Sequence, residues 1–141
     1  LFTAVRGGGA FCGDQPLSVS KTKALNASLL LTGFPYDRGD RPDYYLRFVR
    51  AFLIRAQGLR RAGAASMDFV AVACGQADGF WEIGLSPWDV AAGILLVQEA
   101  GGVVTDLDGG PMKLEGRRML ASNGFIHEEM NAVLRNLISS E

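Results

Sequence analysis

The sequence predicts an α/β protein of the mixed α+β kind, in which one mixed β-sheet carries helices on both faces. Strand-like apolar runs alternate with stretches of helical periodicity along most of the 141 residues. Turn signals at Gly13-Asp14-Gln15-Pro16 and Asp108-Gly109-Gly110-Pro111 add hairpins to that alternation, so a purely parallel sheet is not expected. The segment Ala65 to Cys74 is apolar nearly all round, which marks a buried helix.

The elements follow in order. Leu1 to Val5 reads as a strand and Gly7-Gly8-Gly9 as a turn or bulge. Ala10 to Cys12 and Leu17 to Val19 should pair around 13–16. Ser28 to Thr32 is a short apolar strand ended by Gly33 and Pro35. Asp40 can cap a helix from about Pro42 to Gln57, with Leu46, Val49, Leu53 and Ala56 as its apolar stripe and Gly58 as its stop. Leu59 to Arg61 is a short strand that delivers the Gly63-Ala64-Ala65 loop. Gly79 to Ile83 is a strand, and the helix after it puts Trp88, Ala91, Ala92 and Leu95 on one face. Val103 to Asp106 and Met119 to Ala121 are strands. The last helix runs from about Ile126 to Ile138, with Met130, Val133, Leu137 and Ile138 inward.

A hydrophobic fraction of 48% over this length suits one globular domain with a real core. The formal net charge is −1, from 14 basic and 15 acidic residues, so no nucleic-acid or membrane partner is expected. No apolar run is long enough to span a bilayer. No signal peptide is expected, and the expected location is the cytoplasm, or a plastid in a plant. Seven arginines between Arg38 and Arg61 are interleaved with Asp37, Asp40 and Asp43 and read as a solvated face. Cys74 lies in an apolar run, so it and Cys12 are expected as free thiols. His127 is the single histidine, with no obvious partner for a nucleophile relay. The chain opens on Leu1-Phe2-Thr3-Ala4-Val5 without Met, and we expect it to be part of a longer protein.

The most informative stretch is Trp88-Asp89-Val90-Ala91-Ala92-Gly93, continuing to Glu99-Ala100-Gly101-Gly102. Ser86 suits an N-cap and Pro87 the first helical position, where no N–H is needed. Asp89 then falls in the first turn, where backbone N–H groups and the helix dipole favour an anion. Two readings stand side by side. Ser86-x-x-Asp89 has the spacing of a capping box, which accounts for the Asp by itself. A carboxylate held there also stays ionised and can serve a metal ion.

Trp-Asp-x-Ala-Ala-Gly, an aliphatic helix and Glu-Ala-Gly-Gly together resemble the C-terminal signature of the inositol monophosphatase family, Mg²⁺-dependent sugar and inositol phosphate phosphatases. The resemblance extends over most of the chain. Residues 9–20 look like the family's central hairpin and residues 30–37 like the strand and turn after it. Arg60 to Ser66 matches the family's Gly-Ser/Thr-Ala substrate loop, with a departure at Ala64, and Ala77 to Glu82 precedes the Trp-Asp motif at the family's distance.

The resemblance implies the C-terminal half of the sugar/inositol phosphatase fold. Residues 1–20 would end the N-terminal sheet region and residues 21–141 would form the C-terminal α/β domain. It implies that Asp89 is a catalytic metal ligand and that Gly63, Ala64, Ala65 and Glu82 contact substrate. A carboxylate at 82 suits that task because it accepts from two vicinal hydroxyls at once; its alternative is a strand-end surface acid. Small residues at 63–65 let a ligand approach backbone N–H groups; their alternative is tight helix–sheet packing. Ala64 lacks the hydroxyl often found there, which puts one substrate contact in doubt.

The implied chemistry is hydrolysis of a small phosphate ester, inositol monophosphate or a related sugar phosphate. Two Mg²⁺ ions about 3.5–4 Å apart would activate water and stabilise the leaving oxygen. The family's Asp-Pro-Ile/Leu-Asp-Gly-Thr motif and upstream Glu-Glu pair are missing, so this segment alone is expected to be inactive. Glu99 lies about 15 Å along the helix from Asp89, and Asp106 and Asp108 read as turn residues. A homodimer is compatible with the family. Outside the enzyme class, the sequence also fits a non-catalytic interaction or assembly domain that keeps the fold, and less well a metal-free sugar-binding module.

Overall fold

A computed structural model describes residues 1–139. Its larger sheet has five strands in the order β5-β4-β6-β8-β7. These are β4 (Leu29–Thr32), β5 (Gly58–Arg60), β6 (Gly79–Ile83), β7 (Val103–Thr105) and β8 (Arg118–Ser122). β4 runs parallel to β5 and β6, while β8 runs antiparallel to β6 and β7. The expected mixed sheet is therefore present.

Period-two alternation sorts its side chains into two cores. Leu31, Phe80, Met119 and Ala121 face α2 (Ala65–Ala73) and α3 (Pro87–Glu99). Leu30, Trp81 and Leu120 face α1 (Pro42–Leu53) and α4 (His127–Ile138). Gly93 of α3 sits so close to Phe69 of α2 that a Cβ there would run into the ring. That contact is the packing reason for the glycine in the Trp-Asp motif.

A smaller antiparallel sheet, β1 (Phe2–Val5), β2 (Gly9–Cys12) and β3 (Gln15–Pro16), packs into the α2–α3 core through Ala10, Phe2, Ala4, Leu17 and Val19. Glu99 ties it down, accepting from the N–H groups of Gly7 at 2.9 Å and Gly9 at 3.0 Å. Those two bonds hold the Glu99 carboxyl below its usual range.

Several expected details are corrected. The hairpin turn is only Gly13-Asp14, with Gly13 at φ 58°, so Gln15–Pro16 rather than Leu17–Val19 is the third strand. Helix α1 begins after Arg41, not after an Asp40 cap, because Pro42 takes the first helical position; Asp40 instead closes the preceding turn onto Asp37. It ends at Leu53, since the N–H groups of Gln57 and Gly58 turn to the Ser28 carbonyl and start β5.

The buried stripe of α1 is Tyr45, Phe48 and Phe52; Leu46 and Leu53 are exposed. Two apolar stripes competed, and the aromatic one buries more area. The same happens in α3. Val90, Gly93, Leu96 and Val97 are buried, whereas Trp88 is 82% exposed and Ala91 and Ala92 also face out. Among the described residues no helix is long and apolar enough to cross a membrane.

Candidate active site

One cleft of about 460 Å³ collects the residues singled out by sequence. Gly63, Ala64 and Ala65 line it at the start of α2, Glu82 near the end of β6, and Asp89 in the first turn of α3. Their convergence follows from topology. Parallel β4 and β6 end side by side, and the loops into α2 and α3 open on the same edge.

Asp89 makes the cap and keeps one oxygen free. It forms a capping box with Ser86, whose N–H donates to Oδ2 at 2.9 Å. Oδ1 has no partner among the described residues, and the side chain lines the cleft. Capping therefore occupies one carboxylate oxygen and leaves the other available.

Glu82 is buried at 9% exposure and makes no hydrogen bond among the described residues. Burial pushes its carboxyl up to about 7, with help from the nearby Asp68 and Asp89 charges and against the pull of Arg61. Gly33, at the end of β4, leaves the space that this carboxylate fills, since a Cβ there would collide with both Glu82 oxygens. The alternative of a strand-end surface acid is thus corrected.

Ala64 is the N-cap of α2 and offers no side-chain cap. Ser66 brings a hydroxyl to the same cleft. Gly63 has φ +100°, a region disfavoured for side-chain-bearing residues, and the Nη1 of Arg61 lies 2.6 Å from where its Cβ would be.

Sequence reasoning missed Asp68. It is 2% exposed, its Oδ1 is buried without a hydrogen bond, and burial raises its carboxyl to about 6. The only signal was a lone acid in an otherwise apolar helix. Arg38, Arg61 and Arg117 also line the cleft, with Arg38 and Arg61 exposed to solvent as the charge pattern predicts. Asp106 and Asp108 are turn residues, as expected, bonding the loop at 106–110.

His127 has partners after all, but not catalytic ones. Its Nδ1 is 2.8 Å from Ser122 Oγ and its Nε2 3.0 Å from Thr105 Oγ1. Thr105 donates to the Asp106 carbonyl, so it accepts from Nε2–H, which leaves Nδ1 to accept from Ser122. Ser122 is fully buried, and no substrate can reach it.

Among the described residues no three His, Cys, Asp or Glu side chains group as a metal site. The donor chemistry still fits a hard cation in one respect. Asp89 offers a free, partly buried carboxylate oxygen, the ligand type that Mg²⁺ takes once or twice while keeping waters.

A mixed sheet with helices on both faces and a polar cleft at the strand ends is the arrangement of the sugar/inositol phosphatase fold. A solved inositol monophosphatase from Anabaena (Nostoc) sp. PCC 7120 matches 99% of this chain and 56% of its own, at 45% identity and a TM-score of 0.91. The inositol monophosphatase family profile matches residues 1–139, and the chain belongs to that family. An inositol-1-monophosphatase of Synechocystis sp. is 45% identical over 140 residues, 95% of this chain. A Nus factor SuhB of Pseudomonas aeruginosa is 50% identical over 124 residues, 86% of this chain. The chain spans about half the length of these curated relatives, 47% and 46%.

Proposed function

We propose that this chain is the C-terminal part of a Mg²⁺-dependent phosphomonoesterase acting on inositol monophosphate or a related sugar phosphate. The observation that carries this is the free Oδ1 of Asp89 on the same cleft as Glu82 and the Gly63 loop. Bound Mg²⁺ would neutralise phosphoryl charge and lower the pKa of water. Asp89 would be one of its ligands, kept ionised by the first turn of α3. The Glu82 carboxylate, unpaired within the chain, would in its ionised form accept hydrogen bonds from the polyol hydroxyls. The backbone at 63–65 would let the ester approach the start of α2.

The remaining metal ligands would come from an upstream half. On this reading residues 1–20 are the end of that half's sheet and residues 21–141 the C-terminal α/β domain. Relatives about twice as long support it, as do exposed Trp88, Ala91, Ala92 and Met67 on α3 and α2. The segment alone would then be inactive. The competing reading, a non-catalytic assembly domain, draws on the same exposed apolar face.

Phosphate release from myo-inositol 1-phosphate by the full-length protein, titrated with Mg²⁺, tests the proposal. Mg²⁺-dependent turnover is expected. No turnover at any Mg²⁺ concentration, on this or other sugar monophosphates, would favour the assembly reading.

A further inference from the structure

Helix α3 carries a carboxylate at each end. Asp89 lies in its first turn and Glu99 is its last residue, about 15 Å further along at 1.5 Å per residue. Asp89 lines the cleft. Glu99 instead grips the turn between β1 and β2. Its Oε1 accepts from the Gly7 N–H at 2.9 Å and its Oε2 from the Gly9 N–H at 3.0 Å.

The turn is shaped for that grip. Gly7 and Gly9 have φ 73° and 87°, in the left-handed region that glycine enters freely. Between them the Gly8 N–H turns back to the Val5 carbonyl at 2.8 Å. Three successive amides are therefore satisfied, and two of them by one side chain 92 and 90 residues away. A two-pronged, charge-assisted contact fixes direction as well as distance. The apolar contacts of Phe2, Ala4, Ala10, Leu17 and Val19 with the α2–α3 core hold the small sheet down. Hydrophobic burial is non-directional, so those contacts do not set where along α3 the sheet stops.

Among the described residues β1 is an edge strand of the small sheet. Strands of an upstream half would add beside it and take their register from it. We propose that Glu99 is a positioning residue for the metal site: by clamping the Gly7–Gly9 turn it sets the height along α3 at which the upstream half's ligands meet Asp89. Helix α3 then acts as a strut, with a metal ligand at one end and the fastening of the other half at its opposite end. This rests on the phosphatase reading and on residues 1–20 ending the upstream sheet.

The test uses the full-length protein with Glu99→Ala, which removes both bonds, and Glu99→Gln, whose amide oxygen still accepts one N–H. Mg²⁺ binding is read by calorimetry without substrate. The dissociation constant should rise about tenfold in Glu99→Ala and less in Glu99→Gln, since a remote change that misplaces a group by about 1 Å can cost on the order of 100-fold. Amide exchange at Gly7 and Gly9 should quicken in both. KM for myo-inositol 1-phosphate at saturating Mg²⁺ should hold, because Glu82 and the Gly63 loop lie away from the clamp. His127→Ala, which loosens α4 and not the clamp, is the control for lost stability alone and should leave the Mg²⁺ constant unchanged. If Glu99→Ala does not fold, Glu99→Gln decides by the same constant. An unchanged Mg²⁺ constant, an equal rise in His127→Ala, or a KM that rises in step overturns the positioning role and leaves the phosphatase reading standing. A full-length protein that neither binds Mg²⁺ nor hydrolyses the ester overturns that reading and this inference with it.

Discussion

Two buried polar regions lie on opposite faces of this molecule's main sheet, and they are treated in opposite ways. Around His127 every polar group is paired. Ser122, Thr105 and the ring share their protons, Gly124 N–H donates to Ser122, and Asn131 donates to the Leu107 carbonyl at 3.1 Å. Around Glu82 the groups are left open. Glu82 has no partner, Asp68 keeps a buried unpaired oxygen, and Asp89 uses one oxygen of two. An unpaired buried polar group costs about 1–3 kcal/mol. The first region lowers that cost and holds α4 on the sheet; the second carries it.

Substitutions can break this contrast, and the largest effect is expected at Asp89. Asp89→Asn keeps the cap but removes the charge. In the full-length enzyme, turnover at limiting Mg²⁺ should fall by several kcal/mol of transition-state stabilisation, while the melting temperature barely moves, since Asn caps nearly as well as Asp. Steady-state assays across a Mg²⁺ titration, paired with thermal melts, measure both. Normal turnover at limiting Mg²⁺ would return Asp89 to a purely capping role.

Glu82 comes next. Its folded carboxyl, near 7, lies above the ordinary 4.5. The folded state therefore holds a proton that the unfolded state has already lost between those values. Stability should fall as pH rises from about 4.5 to 7 and level off above, a loss of order 3 kcal/mol for this group. Asp68, raised from 3.8 to about 6, adds a slope in the same direction at lower pH. Glu82→Gln should stabilise the protein above pH 7, change little near pH 4, and weaken polyol binding. Denaturant melts at several pH values decide this; an unchanged pH slope would mean that Glu82 is hydrated and not a strained site group.

His127 gives the opposite sign. Burial lowers its pKa, so the neutral ring is the folded form. Its contribution is complete above the unfolded value near 6.5 and is lost as pH falls through the depressed folded value. His127→Ala should cost about 2 kcal/mol by orphaning Ser122 and Thr105, and should leave KM unchanged. A shift in KM would show that the two regions are coupled.

The smallest effect is expected at Ala64. Ala64→Ser supplies the missing N-cap of α2 and should raise stability by about 1 kcal/mol, read from the denaturation midpoint. No gain would mean that the α2 N–H groups are already satisfied.

Most elements were legible in the residues themselves, because turn glycines, helix starts and alternation are local, and the family was legible through the resemblance of the Trp-Asp motif. The Ser86-Pro87 start, the Asp108 turn and the period-two strands each carry their physics within a few positions. What was not legible was choice between faces. Helix α1 offered a Leu46–Leu53 stripe and a Tyr45–Phe48–Phe52 stripe, and α3 is apolar on both sides; only the neighbour each helix met selected one. Asp68 was not legible for the same reason, since nothing local says that its buried carboxyl comes close enough to raise the pKa of Glu82.

By itself, then, the sequence determined most of the elements, because those rest on spacing along the chain, while the family and the residues expected in the cleft came from the resemblance of its motifs. The tertiary structure alone decided which oxygen of Asp89 is free, why Gly33 and Gly93 must lack side chains, and that three arginines from distant segments line one cleft. Those facts depend on distances across the sheet, where residues far apart in sequence compete for the same space.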